Sequence, residues 1–166
     1  MLTTRTTRTR AELIEASDHL HYEIWMFLAL ANGMASGVAG QGPLNNALLE
    51  SFTIHARILL DFLYATKPQA DDVIAEDFFP ELAAWRDSRP QKSDLLASVH
   101  RRVAKEVAHL TYARQVVTAD TKPWAFIQIA NEVNAAFVAF LSIVPIDHLG
   151  DKWKDLKRQR AEGEAA

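Results

Sequence analysis

The sequence predicts an all-α protein, an antiparallel bundle of four long helices with additional short ones. Three observations carry this. Apolar residues recur at spacings of three and four over long stretches, the stripe that an amphipathic helix lays against its neighbours. No stretch alternates polar and apolar residues for long enough to make a strand, and the single Asn–Gly pair, Asn32–Gly33, ends a helical pattern without joining two strands. Glycine and proline fall mainly between the periodic stretches and so mark where helices stop.

Met1–Arg10 is rich in Thr and Arg, has no apolar segment of a secretory signal behind it, and is expected to be a disordered lead-in. Helix one is expected from about Ala11 to Met34, on the stripe Leu13, Ala16, Leu20, Ile24, Phe27, Ala31 and Met34. Four of the six glycines then fall in Gly33–Gly42, a loop closed by Pro43, a residue suited to a first helical turn. Helix two follows to about Thr66, with Leu44, Leu48, Phe52, His55, Leu59, Phe62 and Leu63 as its core stripe. Ile54, Ile58, Leu60 and Tyr64 make it apolar on most other sides as well, which suits a central helix or one at a subunit contact. Lys67–Pro90 is irregular, rich in acids and aromatics and broken by Pro80; it is expected to hold one or two short helices as a lid or arm. Ser93 is the expected N-cap of helix three, whose buried stripe is Leu96, Val99, Val103, Val107 and Leu110 and which should run to about Arg114. Asp120–Pro123 signals another start, and Phe126, Ile127, Ala130, Val133, Phe137, Phe140 and Leu141 carry helix four to Pro145. One domain over residues 11–147 is expected, with a short helix and tail over 148–166.

The 166 residues suffice for a sizeable core, and 49% hydrophobic with 23% charged residues is ordinary globular material. A formal charge of -3 gives no global basic field for non-specific nucleic-acid binding, so any RNA target would be specific or held by a local patch. The absence of cysteine removes disulfide frameworks, cysteine zinc sites, iron–sulfur clusters and thiol nucleophiles together. The uncharged stretch Ile24–Leu49 is interrupted by Asn, Ser, Gly and Pro, so a soluble, cytoplasmic protein with no membrane association is expected.

No phosphate-binding Gly-Lys-Ser/Thr loop, nucleophile elbow or His-Glu-x-x-His motif is present. A carboxylate-bridged dimetal bundle wants two Glu-x-x-His motifs, and Glu106–His109 is the only one, so neither metal nor cofactor is expected. His55 sits on the core stripe of helix two, where a hydrogen-bonded structural histidine is the simplest state. In helix three, Arg102 and His109 are seven residues, two turns, apart with Glu106 between them, and the three form a polar strip beside the buried stripe. A guanidinium that can fork onto phosphate, next to an imidazole that moves protons near neutral pH, is a sufficient kit for cleaving RNA without metal. A solvated Arg–Glu–His face accounts for the same residues. On helix two, Glu50, Arg57 and Asp61 share the one polar strip, with Arg57 and Asp61 at i and i+4. This strip is either an ion-pair network or the wall facing helix three, where Arg57 would supply a phosphate contact.

The stretch LLASVHRRVAKEVAHLTYAR resembles the last signature helix of the HEPN superfamily, marked by an Arg, four to six residues and a His; Arg102 and His109 fit its outer limit. NALLESFTIHARILLDFLY resembles the second helix of uncharacterised bacterial HEPN-like proteins. Members read as active carry a polar residue directly after the Arg, whereas Val103 follows Arg102 here; on the commoner alignment Val103 itself occupies the Arg position. The resemblance implies a bacterial toxin or defence-type role, either as a nucleotide-, RNA- or partner-binding module or as a metal-independent endoribonuclease with paired motifs from two protomers. In the second case Arg102 and His109 would be catalytic, with Arg57, Asp61 and Glu106 in contact with substrate. A nucleotidyltransferase or antitoxin is the partner such systems imply. A metal-binding four-helix bundle is the third alternative. A homodimer is expected independently, because helix two is apolar on more faces than one bundle buries and Trp25 and Trp124 lie off the core stripes.

Overall fold

A computed structural model describes residues 6–81, 83–108, 112, 115 and 123–156, and among these there is no strand. The first helix, α1 (Arg10–Ala35), begins inside the expected lead-in because Thr9 and Glu12 cap it reciprocally. Thr9 Oγ1 accepts from the Glu12 N–H at 3.3 Å, and the Glu12 carboxylate accepts from the Thr9 N–H at 2.7 Å. These bonds to Thr9 hold the Glu12 carboxyl below its ordinary value. The loop that follows turns on Gly37, Gly40 and Gly42, all at positive φ, where a side chain would be strained.

Pro43 opens α2 (Pro43–Tyr64) as expected. Its buried side runs through Phe52, Ala56, Leu59, Leu60 and Leu63, but Leu44, assigned to the core from its spacing, is 63% exposed. The stripe cannot start that early because the preceding loop is itself solvated, with Val38 at 79% exposure, and offers the first turn nothing to pack against.

The segment 67–90 contains two short helices, a 3-10 turn over Ala75–Phe78 and α3 (Ala83–Ser88). Helix three is realised as α4 (Asp94–Arg102), continued by a π-helical stretch over Val103–Ala108. A single α-helix to Arg114 is therefore not what forms: the α ladder ends at Arg102, and the remainder of the expected helix lies mostly outside the described residues. The Ser93 cap is as expected, its hydroxyl accepting from the Leu96 N–H at 3.1 Å while it donates to Glu132. Ser93→Ala removes both bonds and is expected to cost about 1 kcal/mol in chemical denaturation.

Helix four is α5 (Phe126–Ile143), followed by a 3-10 turn over Ile146–His148 and α6 (residues 151–156). Its buried side uses Ile129 and Ala136 with the expected Ala130, Val133, Phe137, Phe140 and Leu141, whereas Ile127 is 42% exposed. Ile127 and Ala130 are three apart, but the inward face runs through 129–130, 133 and 136–137, which turns Ile127 outward. By length and composition alone α5 is apolar enough to cross a bilayer, a test that core helices of soluble proteins also pass.

The chain divides into two compact units. One comprises the chain through Tyr22, Phe62–Pro90 and everything from Ala136 onward. Its centre is aromatic: the Phe140 ring meets Phe62 at 5.2 Å, Phe78 at 5.7 Å, Phe79 at 5.8 Å and Trp85 at 5.6 Å, all near perpendicular. Trp85 is fully buried and donates its indole N–H to the Leu63 carbonyl at 2.8 Å. The segment expected as a lid or arm is thus part of a core. Trp153 of α6 is also buried, its Nε1–H donating to the Ser17 carbonyl at 2.7 Å, and the Gly150 N–H donates to Ser17 Oγ at 2.8 Å.

The other unit comprises Glu23–Asp61 and Gln91–Ala135. Phe27 and Phe52 stack at 4.8 Å between α1 and α2, and Leu96, Val99 and Val103 are buried with Ile129 and Val133. His55, 9% exposed, has Nδ1 2.6 Å from Glu23 Oε2, the hydrogen-bonded core histidine expected from its position.

Candidate functional site

Of the polar side chains singled out from the sequence, Arg102 and Glu106 form one cluster in the second unit, and Arg57 and Asp61 belong to another. The first surrounds Arg102, at the junction between the α ladder and the π-helical stretch. Its Nε and Nη2 donate to the two oxygens of Glu106 at 2.9 Å each, a bidentate pair, and Nη1 donates to the Pro123 carbonyl at 3.3 Å. The Trp124 ring lies 4.0 Å from the guanidinium carbon. Both partners are largely enclosed, with 22% and 21% of their side chains exposed. Glu106, expected beside substrate, has both oxygens taken by Arg102. Arg102 is therefore held on its edge and its face by its own chain, a poor state for receiving a phosphate.

His109 lies outside the described residues, and with it the second half of the Arg102–His109 pair. The expected alignment of the two rested on an α period. From Val103 to Ala108 the bonding is i→i+5, so the α period on which that spacing was read does not run on past Arg102.

The second cluster is built on Asp61. Arg57 Nε lies 3.6 Å from Asp61 Oδ2, one helical turn away on α2, as the i and i+4 spacing requires. The other oxygen, Oδ1, is 2.8 Å from Nε2 of His100 on α4. Nε2 is out of solvent, and its approach is an ion-pair contact without the angles of a directed hydrogen bond. The polar strip of α2 does meet the expected third helix, then, but at His100 and not at Arg102. Glu50, the third member of that strip, is exposed and has no part in the cluster.

Arg57, Asp61 and His100 are open, with 41%, 55% and 41% of their side chains exposed. Among the described residues Arg57 and His100 have no further polar partner. An arginine holding one carboxylate oxygen at 3.6 Å keeps most of its five N–H donors for another anion. The His100 imidazole, with Nε2 against the Asp61 carboxylate, has a partner that fixes which way its ring faces.

Sequence reasoning missed His100. The signal was present in Val99-His100-Arg101-Arg102, but a histidine beside a buried valine is ordinary on an amphipathic face, and only the approach of α2 singles it out.

Comparison with protein-family models, curated proteins and solved structures returned no match.

Among the described residues no group of three or more His, Asp or Glu is placed to hold a metal ion. The one Glu-x-x-His motif includes His109, outside those residues.

Proposed function

We propose that the chain is a HEPN-like antiparallel four-helix bundle of a bacterial toxin or defence-type system. In this reading it acts as a binding module for a phosphate-bearing ligand, a nucleotide or a short single-stranded RNA. The observation that carries this is the contrast between the two arginines: Arg102 is locked onto Glu106 and Trp124, while Arg57 stands half-exposed in a cluster with His100. The phosphate is held by Arg57 with the His100 ring beside it, and Asp61 keeps the two side chains together. Titration of a fluorescent oligouridylate and of ATP followed by anisotropy and calorimetry tests this. Arg57→Ala and His100→Ala should each weaken binding by about tenfold, the value of a charge-assisted hydrogen bond, with affinity falling as salt rises. Arg102→Ala should leave affinity unchanged. Failure of the intact protein to bind either probe ends this reading.

One observation favours a second reading. His100 against Asp61 has the pairing of a proton-moving imidazole with a carboxylate that orients it, so the cluster could support metal-independent RNA cleavage. Cleavage that survives EDTA, leaves a cyclic phosphate and falls by about 10² in His100→Ala would select this reading over simple binding. If His109→Ala abolishes cleavage and His100→Ala does not, the signature helix carries the chemistry in place of the Asp61 cluster.

A further inference from the structure

Helix α2 has a second stripe, largely apolar, whose large side chains stand exposed. Leu44, Ala47, Ser51, Ile54 and Ile58 follow at spacings of three, four, three and four, which is the rhythm of a helix–helix seam. Leu44 is 63% exposed, Ile54 49% and Ile58 40%, and Ala47 between them is exposed too, while the opposite side of the same helix buries Phe52, Ala56, Leu59 and Leu63. A lone exposed aliphatic residue is ordinary; three large ones in a single seam row are not.

We infer that this face is the contact between two copies of the chain, packed α2 against α2 in antiparallel fashion about a two-fold axis. The occupant follows from the sizes along the stripe and from the charges on its rim. With Ser51 layered on the second copy's Ile54 and Ala47 on its Ile58, every one of the four inner layers sets a small residue against a branched one, and the volumes interdigitate. Leu44 and Asp61 lie at the ends of the row, beyond those layers. A parallel pair would instead set Ile against Ile and Ala against Ala, crowding one half of the seam and leaving the other open.

The charges agree. Glu50 and Arg57 are seven residues apart along the same edge, so they occupy the same seam position in successive repeats. In the antiparallel pair that edge meets itself reversed. Glu50 of each copy then lies beside Arg57 of the other, and the two-fold makes both ion pairs at once. A parallel pair has no such match, because each rim residue would face the positions of His55 and Phe62, which are buried within their own chain. The other rim of the stripe runs through those two buried residues, so Glu50 and Arg57 are the rim charges on which the match depends. A second copy satisfies both patterns by symmetry alone.

Arg57 also belongs to the proposed ligand cluster, but the dimer does not rest on that reading, and its test reads assembly and not binding. Sedimentation of the full chain over a concentration series should show a dimer at micromolar concentration. Ile54→Glu places a carboxylate in the central layer and should give a monomer with unchanged helical circular dichroism, since half of that side chain is already in solvent. Glu50→Arg sets Arg against Arg twice and should weaken the dimer by about tenfold or more, and adding Arg57→Glu to it should restore the dimer by exchanging the two signs. The restoration is the outcome a merely structural effect would not produce. A monomeric parent protein overturns the inference, as does a dimer that withstands both Ile54→Glu and Glu50→Arg.

Discussion

Trp85→Ala should lower the stability of the protein by about 3–5 kcal/mol, the range for removing a large aromatic from a packed core. Trp85 is fully buried, its ring 5.6 Å from Phe140 and stacked at 6.5 Å on Phe79. The substitution empties the volume of an indole amid rings that cannot all close around it, and it removes the donor to the Leu63 carbonyl. That carbonyl keeps a second donor, Arg89 Nη1 at 3.2 Å, so the loss is one of packing more than of an orphaned acceptor. Trp85→Phe, which preserves part of the ring contact, should cost less than half as much. Urea denaturation followed by circular dichroism measures both. A cost below about 1 kcal/mol for Trp85→Ala would mean that the 67–90 segment does behave as a detachable arm.

Arg89→Met is the second large effect, and its size should depend on pH. Glu76 is 2% exposed, and among the described residues neither carboxylate oxygen has a hydrogen-bond partner; Arg89 Nη1 lies 3.6 Å and Arg86 Nε 3.9 Å from Oε1. Burial raises the carboxyl above its ordinary value of 4.5; the two arginines pull it back, and neighbouring Asp77 pushes it up. The native state therefore holds this proton to higher pH than the unfolded chain does, so the contribution of Glu76 to stability falls as pH climbs from about 4.5 through the native value. Removing Arg89 leaves a buried carboxylate with only the more exposed Arg86, which should cost about 3 kcal/mol at neutral pH. In acid, where Glu76 is protonated and needs no cation, the cost should shrink toward what remains from the Leu63 bond and the stacking of Arg89 on Tyr64. Glu76→Gln should flatten the pH dependence in both backgrounds. A cost for Arg89→Met that is the same in acid and at neutral pH would rule out Glu76 as its origin.

These two residues show where sequence reading stops. Phe78, Phe79 and Trp85 follow no helical period because they sit in a 3-10 turn, at its end and in a six-residue helix, so an aromatic-rich stretch reads as an irregular lid. Burial of that stretch is decided by rings contributed from residues 62 and 140, far away in the chain. The Thr9–Glu12 cap, by contrast, was legible as Thr-x-x-Glu and was hidden only by the Thr/Arg repetition around it. At the candidate site, the Arg57–Asp61 pair could be read from its spacing, since both partners lie on one helix. His100 could not, because its partner comes from another.

The sequence by itself determined the all-α class and the extents of α1 and α2 to within a residue or two. It also determined the Ser93 cap, the burial of most stripe positions, and the core role of His55. All of these follow from local periodicity and from orphaned backbone groups at helix ends, which are properties of a few neighbouring residues. Only the tertiary structure decided that the Trp124 ring covers the Arg102 guanidinium, that Asp61 bridges to His100, and that α2 leaves a largely apolar face exposed. The switch from α to π bonding after Arg102 was not legible either, because Val103–Ala108 contains neither Gly nor Pro to mark it. The contacts among them depend on which part of the chain stands opposite which, and a period along one helix holds no information about its neighbour.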